Sequence, residues 1–162
     1  MMEDLTLTRG DVGAASAVLT ATAARLADRG EPLWPLPSLT PERLTRHYPT
    51  GTWRVAWRGD APVGTYALLT ADPLFWPEAA PDEAWYLHKL GVHPDAQGQG
   101  LAPVLLREAA QECGEAGVPL LRLDTAATRP KLRALYEAAG FRAVDEREVR
   151  GFAVVRYERR VP

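Results

Sequence analysis

The sequence predicts an α/β (α+β) chain: a mixed sheet of seven strands with helices on its faces. Three observations carry that prediction. The hydrophobic period switches back and forth between two residues and about 3.6, so strand and helix patterns interleave. Val118 to Leu123 is an almost unbroken apolar run, as in a strand buried on both faces. A glycine-rich turn, Gln97-Gly98-Gln99-Gly100, joins a strand pattern to an amphipathic helix pattern.

The elements follow in order. Leu5 to Thr8 alternates like a short strand. Asp11 then suits a helix N-cap, because its carboxylate accepts from the unpaired first N–H groups. Val12, Ala15, Leu19, Ala23 and Leu26 recur at helical spacing, and Gly30 ends that helix. Glu31 to Pro37 is too rich in proline to be helical. Thr40 caps a second helix, with Pro41 in its first turn. Trp53, Val55 and Trp57 alternate with Arg54, Ala56 and Arg58 as in a half-buried strand. Gly59 to Pro62 turns it into a return strand, Val63 to Leu69. A loop rich in proline and acid leads to a strand from Tyr86 to Val92. A helix over 100–114 places Leu101, Val104, Leu105, Ala109 and Cys113 on one face. After the strand Val118 to Leu123 come a short helix through Leu132, Leu135, Tyr136 and Ala139, closed by Gly140, and a hairpin about Arg150-Gly151.

The 162 residues form one domain on this reading, with no repeat and no linker. Hydrophobic residues make up 46% and charged residues 25%, and the net charge is −2, so no basic stripe marks a nucleic-acid binder. Cys113 is the only cysteine, which excludes an internal disulfide. No apolar run reaches the roughly 18–20 residues of a membrane span. The start, Met1-Met2-Glu3-Asp4-Leu5, is acidic and lacks a signal-peptide core, so the expected setting is cytoplasmic. His47, His88 and His93 share no metal-ligand spacing, and no metal is expected.

Leu90-Gly91-Val92-His93-Pro94-Asp95-Ala96-Gln97-Gly98-Gln99-Gly100-Leu101-Ala102 is the informative stretch. The first N–H groups of a helix lack partners and carry partial positive charge, and glycines let a bulky phosphate approach them. Pro103 falls in the first helical turn, where its missing N–H is tolerated. The last glycine of a dinucleotide fingerprint is missing, and no lysine precedes Ser or Thr as in a P-loop.

Gln97-Gly98-Gln99-Gly100-Leu101-Ala102 resembles the Gln/Arg-x-x-Gly-x-Gly/Ala signature of the GNAT superfamily of N-acetyltransferases. Asp124 to Phe141, ending Leu135-Tyr136, three residues and Gly140-Phe141, resembles the family's second diagnostic segment. The resemblance covers nearly the whole chain. It implies a single GNAT-like domain over 1–162, with a mostly antiparallel sheet of about seven strands and helices on both faces. It implies acetyl-CoA as co-substrate, its pyrophosphate on the amides of Gln97, Gly98, Gln99, Gly100, Leu101 and Ala102, and its pantetheine arm along Leu90, Gly91 and Val92. Arg129 stands where the family often has an Asn that touches the pantetheine amide. It either reaches a CoA phosphate or sits in solvent. Gly91 also suits a bulge or a close backbone approach.

The resemblance implies an N-acetyltransferase that moves an acetyl group to a primary amine in a ternary complex. Tyr136 is the implied general acid, since a phenol with a pKa of about 10 can protonate the departing thiolate. By its spacing with Leu132, Leu135 and Ala139 it also reads as a core tyrosine. For the base, His88 has a reference pKa of about 6.5 and shares a strand face with Tyr86, Leu90 and Val92. Its strand resembles that of arylalkylamine acetyltransferases, which carry histidine there. Glu83 is the second candidate base, and a water or a purely structural histidine remain alternatives. A CoA-binding sensor without turnover is the competing function.

The acceptor is a small-molecule or peptide amine on this reading, with neither nucleic acid nor membrane as partner. If the chain self-associates, a homodimer is the commonest form. Asp72, Glu78, Asp82 and Glu83 are interleaved with Phe75, Trp76 and Trp85, and no Lys or Arg falls between Arg58 and Lys89. Together with Glu31 and Trp34 these residues suit a cationic, hydrophobic acceptor, or they only keep a loop soluble.

Overall fold

The computed structural model describes residues 4–162. The acidic start Met1-Met2-Glu3 lies outside them. Seven strands and four α-helices follow in the order β1 (Leu5–Arg9), α1 (Val12–Asp28), α2 (Pro41–His47), β2 (Trp53–Arg58), β3 (Ala61–Leu69), β4 (Ala84–Val92), α3 (Leu101–Glu115), β5 (Leu120–Ala126), α4 (Pro130–Ala138), β6 (Arg142–Val149) and β7 (Phe152–Arg160). The strands form one sheet in the order β1-β2-β3-β4-β5-β7-β6. β4 and β5 run parallel, while β1–β2, β2–β3, β5–β7 and β6–β7 are antiparallel. Among the described residues no helix is long and apolar enough to cross a membrane.

The described residues divide into two compact units, 4–68 with Lys89–Leu105, and Leu69–His88 with Leu106–Pro162. In the first, Asp11 accepts from the Ala14 N–H at 2.9 Å and starts α1. Ala15, Leu19 and Ala23 of α1 are buried with Leu39, Leu44, Trp53, Val55 and Ala67, which fastens α1 and α2 onto β2 and β3. The Ser16 hydroxyl donates to the Leu39 carbonyl at 2.6 Å and ties the proline-rich connection to α1. β2 is more buried than its alternation suggests. Trp53, Arg54, Val55 and Ala56 are all buried, and Arg54 meets this by donating to the Gly51 carbonyl. Pro62 pairs with Trp57 beside the register shift between Ala56 and Trp57, where a missing N–H disturbs the ladder least.

In the second unit, β5 begins at Leu120, two residues later than its apolar run, because Gly117 is left-handed (φ 77°) and Pro119 has no N–H for the ladder. Tyr157 of β7 fastens α4. Its hydroxyl donates to Glu137 at 2.8 Å and accepts from Arg133 at 3.2 Å. Arg150 (φ 49°) and Gly151 (φ 84°) are both left-handed, as a two-residue hairpin between right-twisted strands requires.

Candidate active site

The glycine-rich turn belongs to the first unit. After β4, the His93 N–H bonds the Val63 carbonyl at 2.8 Å, and the His93 Nδ1 accepts from the Asp95 N–H at 3.1 Å. The Gln97 amide reaches back to the Val92 carbonyl at 3.3 Å. Gly98 (φ 80°) and Gly100 (φ 74°) are both left-handed, and α3 begins at Leu101 immediately after them. A Cβ at either glycine would meet nothing within 4 Å, so neither position is crowded. A long helix opening on a bare left-handed turn has the donor set that a pyrophosphate needs, and the chain here fits that group. Arg58, at the end of β2, donates through Nη1 to the Gln99 side-chain oxygen. The sequence alone gave no reason to single out Arg58, because the pairing spans two distant segments of chain.

Leu90, Gly91 and Val92 end β4. The left-handed residue in this strand is Lys89 (φ 56°), which interrupts the regular ladder geometry. Gly91 answers to close approach instead. A Cβ there would come within 3.0 Å of Leu19 Cδ2 and 3.6 Å of the Thr22 hydroxyl. That hydroxyl lies 2.9 Å from the Val92 carbonyl and 2.8 Å from the Val18 carbonyl. Lys89 Nζ stands 5.0 Å from the centre of the Trp34 ring, which packs against the α1 core.

The candidate proton-transfer groups belong to the second unit. The parallel ladder pairs Ala84, Trp85 and Tyr86 with Leu120, Leu121 and Arg122. His88 and Asp124 lie two residues beyond its end. His88 Nε2 is 2.7 Å from Asp72 Oδ2, both side chains being largely buried. Donor atoms of Asp72, His88 and Asp124 all fall within 4.8 Å of one another, the one such group of donors among the described residues that has the make-up to hold a metal ion. The 2.7 Å contact between Asp72 and His88 is itself a hydrogen-bond length. The Phe75 ring lies 6.0 Å from the His88 ring.

Tyr136 is buried on α4 among the rings of Phe141 and Tyr157, each 6.1 Å away between centroids. Burial pushes its phenol above the usual value, and the negative charge of Asp124 adds to that. Asp124 is thus a neighbour of His88 and acts electrostatically on Tyr136. Arg129 is the N-cap residue of α4, with no side-chain cap bond, and its carbonyl accepts from the Arg133 N–H.

Glu83 has a different setting. It pairs with Arg122 at 2.8 Å, and that hydrogen bond holds its carboxyl below the usual carboxylate range. Two further acids of this loop are matched as well. Glu78 pairs with Arg156 at 2.8 Å and with Arg147 at 3.7 Å, and Asp72 with His88. These contacts neutralise much of the charge that the sequence suggested for attracting a cationic acceptor. Trp76 is buried, with Arg122 and Arg156 stacked on its ring at 4.4 and 4.2 Å. It is packed into the fold. Cys113 is buried on α3.

The profile of the acetyltransferase (GNAT) family matches residues 20–141. A mycothiol acetyltransferase from Beutenbergia cavernae is 36% identical over 96 residues, covering 59% of this chain. The chain spans only 30% of that relative's length. A GNAT-family protein from Desulfovibrio desulfuricans superposes with a TM-score of 0.75 at 20% identity, covering 98% of this chain and 99% of its own. An acetyltransferase from Salmonella typhimurium, determined with its cofactor acetyl-CoA, gives 0.68 at 13% identity, covering 98% and 95%. These structures share the fold, and the profile spans both diagnostic segments: the chain belongs to the acetyltransferase (GNAT) family.

Proposed function

We propose that the chain is an N-acetyltransferase that moves the acetyl group of acetyl-CoA to a primary amine by direct attack, with residues 1–162 acting as one catalytic domain. The observation that carries the reading is the turn Gly98–Gly100, two left-handed, uncrowded glycines at the start of a 15-residue helix. Acetyl-CoA supplies an activated thioester whose carbonyl carbon can be attacked by a nitrogen lone pair.

The chain's own residues supply the rest. Amides of Gln97 to Ala102 bind pyrophosphate, with Arg58 fixing Gln99 and adding a positive charge beside the turn. Leu90 to Val92 offer strand backbone to the pantetheine arm, and Arg129 a cation to the CoA. His88 takes the proton that the amine loses as the new C–N bond forms. Glu83 is the poorer base, because its pairing with Arg122 lowers its affinity for a proton. Tyr136 donates its proton to the sulfur as the C–S bond breaks, and its raised pKa keeps that proton in place at neutral pH. The relative named as a mycothiol acetyltransferase supports acetyl transfer as the reaction.

Isothermal titration of acetyl-CoA into the purified protein tests the reading. Saturable binding is expected, followed by acetyl-CoA consumption with at least one amine of an acceptor library. Absence of binding at millimolar ligand would end it.

A further inference from the structure

We propose that Asp72 is a positioning residue for His88: its carboxylate accepts the hydrogen bond from the Nε2–H, sets the imidazole's tautomer and orientation, and stabilises the charged ring after proton capture. The inference rests on the reading of His88 as the base.

The carboxylate is oriented at both oxygens. Oδ2 lies 2.7 Å from His88 Nε2, and Oδ1 accepts from the Phe75 N–H at 3.4 Å. The Asp72 carbonyl accepts from the Trp76 N–H at 2.8 Å, which closes a turn over Asp72 to Trp76. That turn is anchored in the unit. Arg156 donates to the Phe75 carbonyl at 3.1 Å, and Arg122 and Arg156 stack on Trp76. The loop therefore delivers Asp72 in a fixed pose to a strand residue 16 positions away.

The chemistry follows from the donor inventory. A carboxylate only accepts, so Nε2 carries the hydrogen and the basic lone pair of the neutral ring is at Nδ1. The proton that the acceptor amine loses as the C–N bond forms arrives at Nδ1, and the Asp72 carboxylate balances the charge of the imidazolium. Asp124, on β5, also faces this pair. Its negative charge acts on the ring in the same sense. A buried ion pair is a weak source of stability, whereas holding an imidazole in one tautomer is an established use of a carboxylate.

The test uses the intact chain and the Asp72→Asn variant. A slowly exchanging, downfield imidazole N–H proton is expected in the wild-type NMR spectrum and is expected to disappear in Asp72→Asn. The variant's kcat should fall about 100-fold, with the affinity for acetyl-CoA unchanged. In a His88→Gln background Asp72→Asn should cost nothing further. If Asp72→Asn does not fold, Asp72→Glu keeps the charge but displaces it, and the same kcat loss is expected. Losses that simply add in the double variant would overturn the proposal, as would a wild-type spectrum without the protected proton. If His88→Gln keeps full activity while the proton is present, the base assignment fails and the Asp72 contact is structural only. Loss of acetyl-CoA binding in wild type would instead indict the proposed reaction itself.

Discussion

The guanidinium carbon of Arg156, on β7, lies 4.2 Å from the centre of the Trp76 ring, in the loop before β4. The same guanidinium forks onto Asp145, 2.8 Å at each oxygen, and donates to Glu78 at 3.0 Å. One buried cation thus joins two strands and a loop. Lysine keeps the charge but not the planar fork, so Arg156→Lys loses the bidentate bond to Asp145. We expect a loss of about 2 kcal/mol, in line with hydrogen bonds to charged groups. A urea titration checks it. The midpoint should drop with the slope unchanged.

Glu78 gives a pH signature. The Arg156 hydrogen bond lowers its carboxyl to about 2, well under an unpaired glutamate. A depressed folded pKa means that the unfolded chain binds the proton first as pH falls. The stabilisation is therefore complete above the unfolded value of about 4.3 and is lost between there and about 2. Glu78→Gln should be less stable than wild type at pH 7, and the difference should close across that window. Glu78 is half exposed, so solvent and salt weaken the effect. Paired melting curves at descending pH would detect it, and a gap that widens on acidification would contradict it.

The element order was legible because each helix and strand carries its own local signal. Asp11 and Thr40 both cap as their residue types suggest. The turn at Gly98 and Gly100 was legible too, as a glycine-rich stretch between a strand pattern and a helix pattern, and both glycines are left-handed. What escaped was pairing across sequence. Nothing in the segment 70–83 announces that Asp72 meets His88, or that Glu83 and Glu78 meet arginines on β5 and β7. Gly91 shows the same limit. A strand glycine signals either a bulge or a close neighbour. The sequence does not hold the coordinates of Leu19, so it does not say which.

The turn can be tested from two sides. Gly100→Asp puts a side chain into open space, so the fold loses only the cost of a left-handed non-glycine residue, about 1 kcal/mol. Acetyl-CoA affinity should fall at least about 10-fold, because a negative charge now faces the phosphates. Arg58→Met removes the cation and the bond to Gln99, and a loss of about 10-fold is expected. Its remaining affinity should depend less on salt than that of wild type. Titration calorimetry at two salt concentrations reads both, and unchanged affinity in folded Gly100→Asp would move the phosphate site elsewhere.

Tyr136→Phe separates packing from chemistry. Phenylalanine keeps the ring contacts with Phe141 and Tyr157, so stability should change by about 1 kcal/mol or less. Only the O–H is lost. Burial and the charge of Asp124 both hold that proton on the phenol, so wild-type Tyr136 is a neutral donor throughout the physiological range. It therefore contributes no loss of activity on the basic side until beyond a free phenol's pKa of about 10. Without the donor, the thiolate must leave unprotonated or wait for water. We expect kcat to fall by about 100-fold or more while the acetyl-CoA dissociation constant stays the same. The loss should be smaller for acyl donors whose thiol has a low pKa, because such leaving groups need little protonation. Steady-state rates with a series of acetyl thioesters measure that dependence. An equal loss across the series would assign Tyr136 to the core alone.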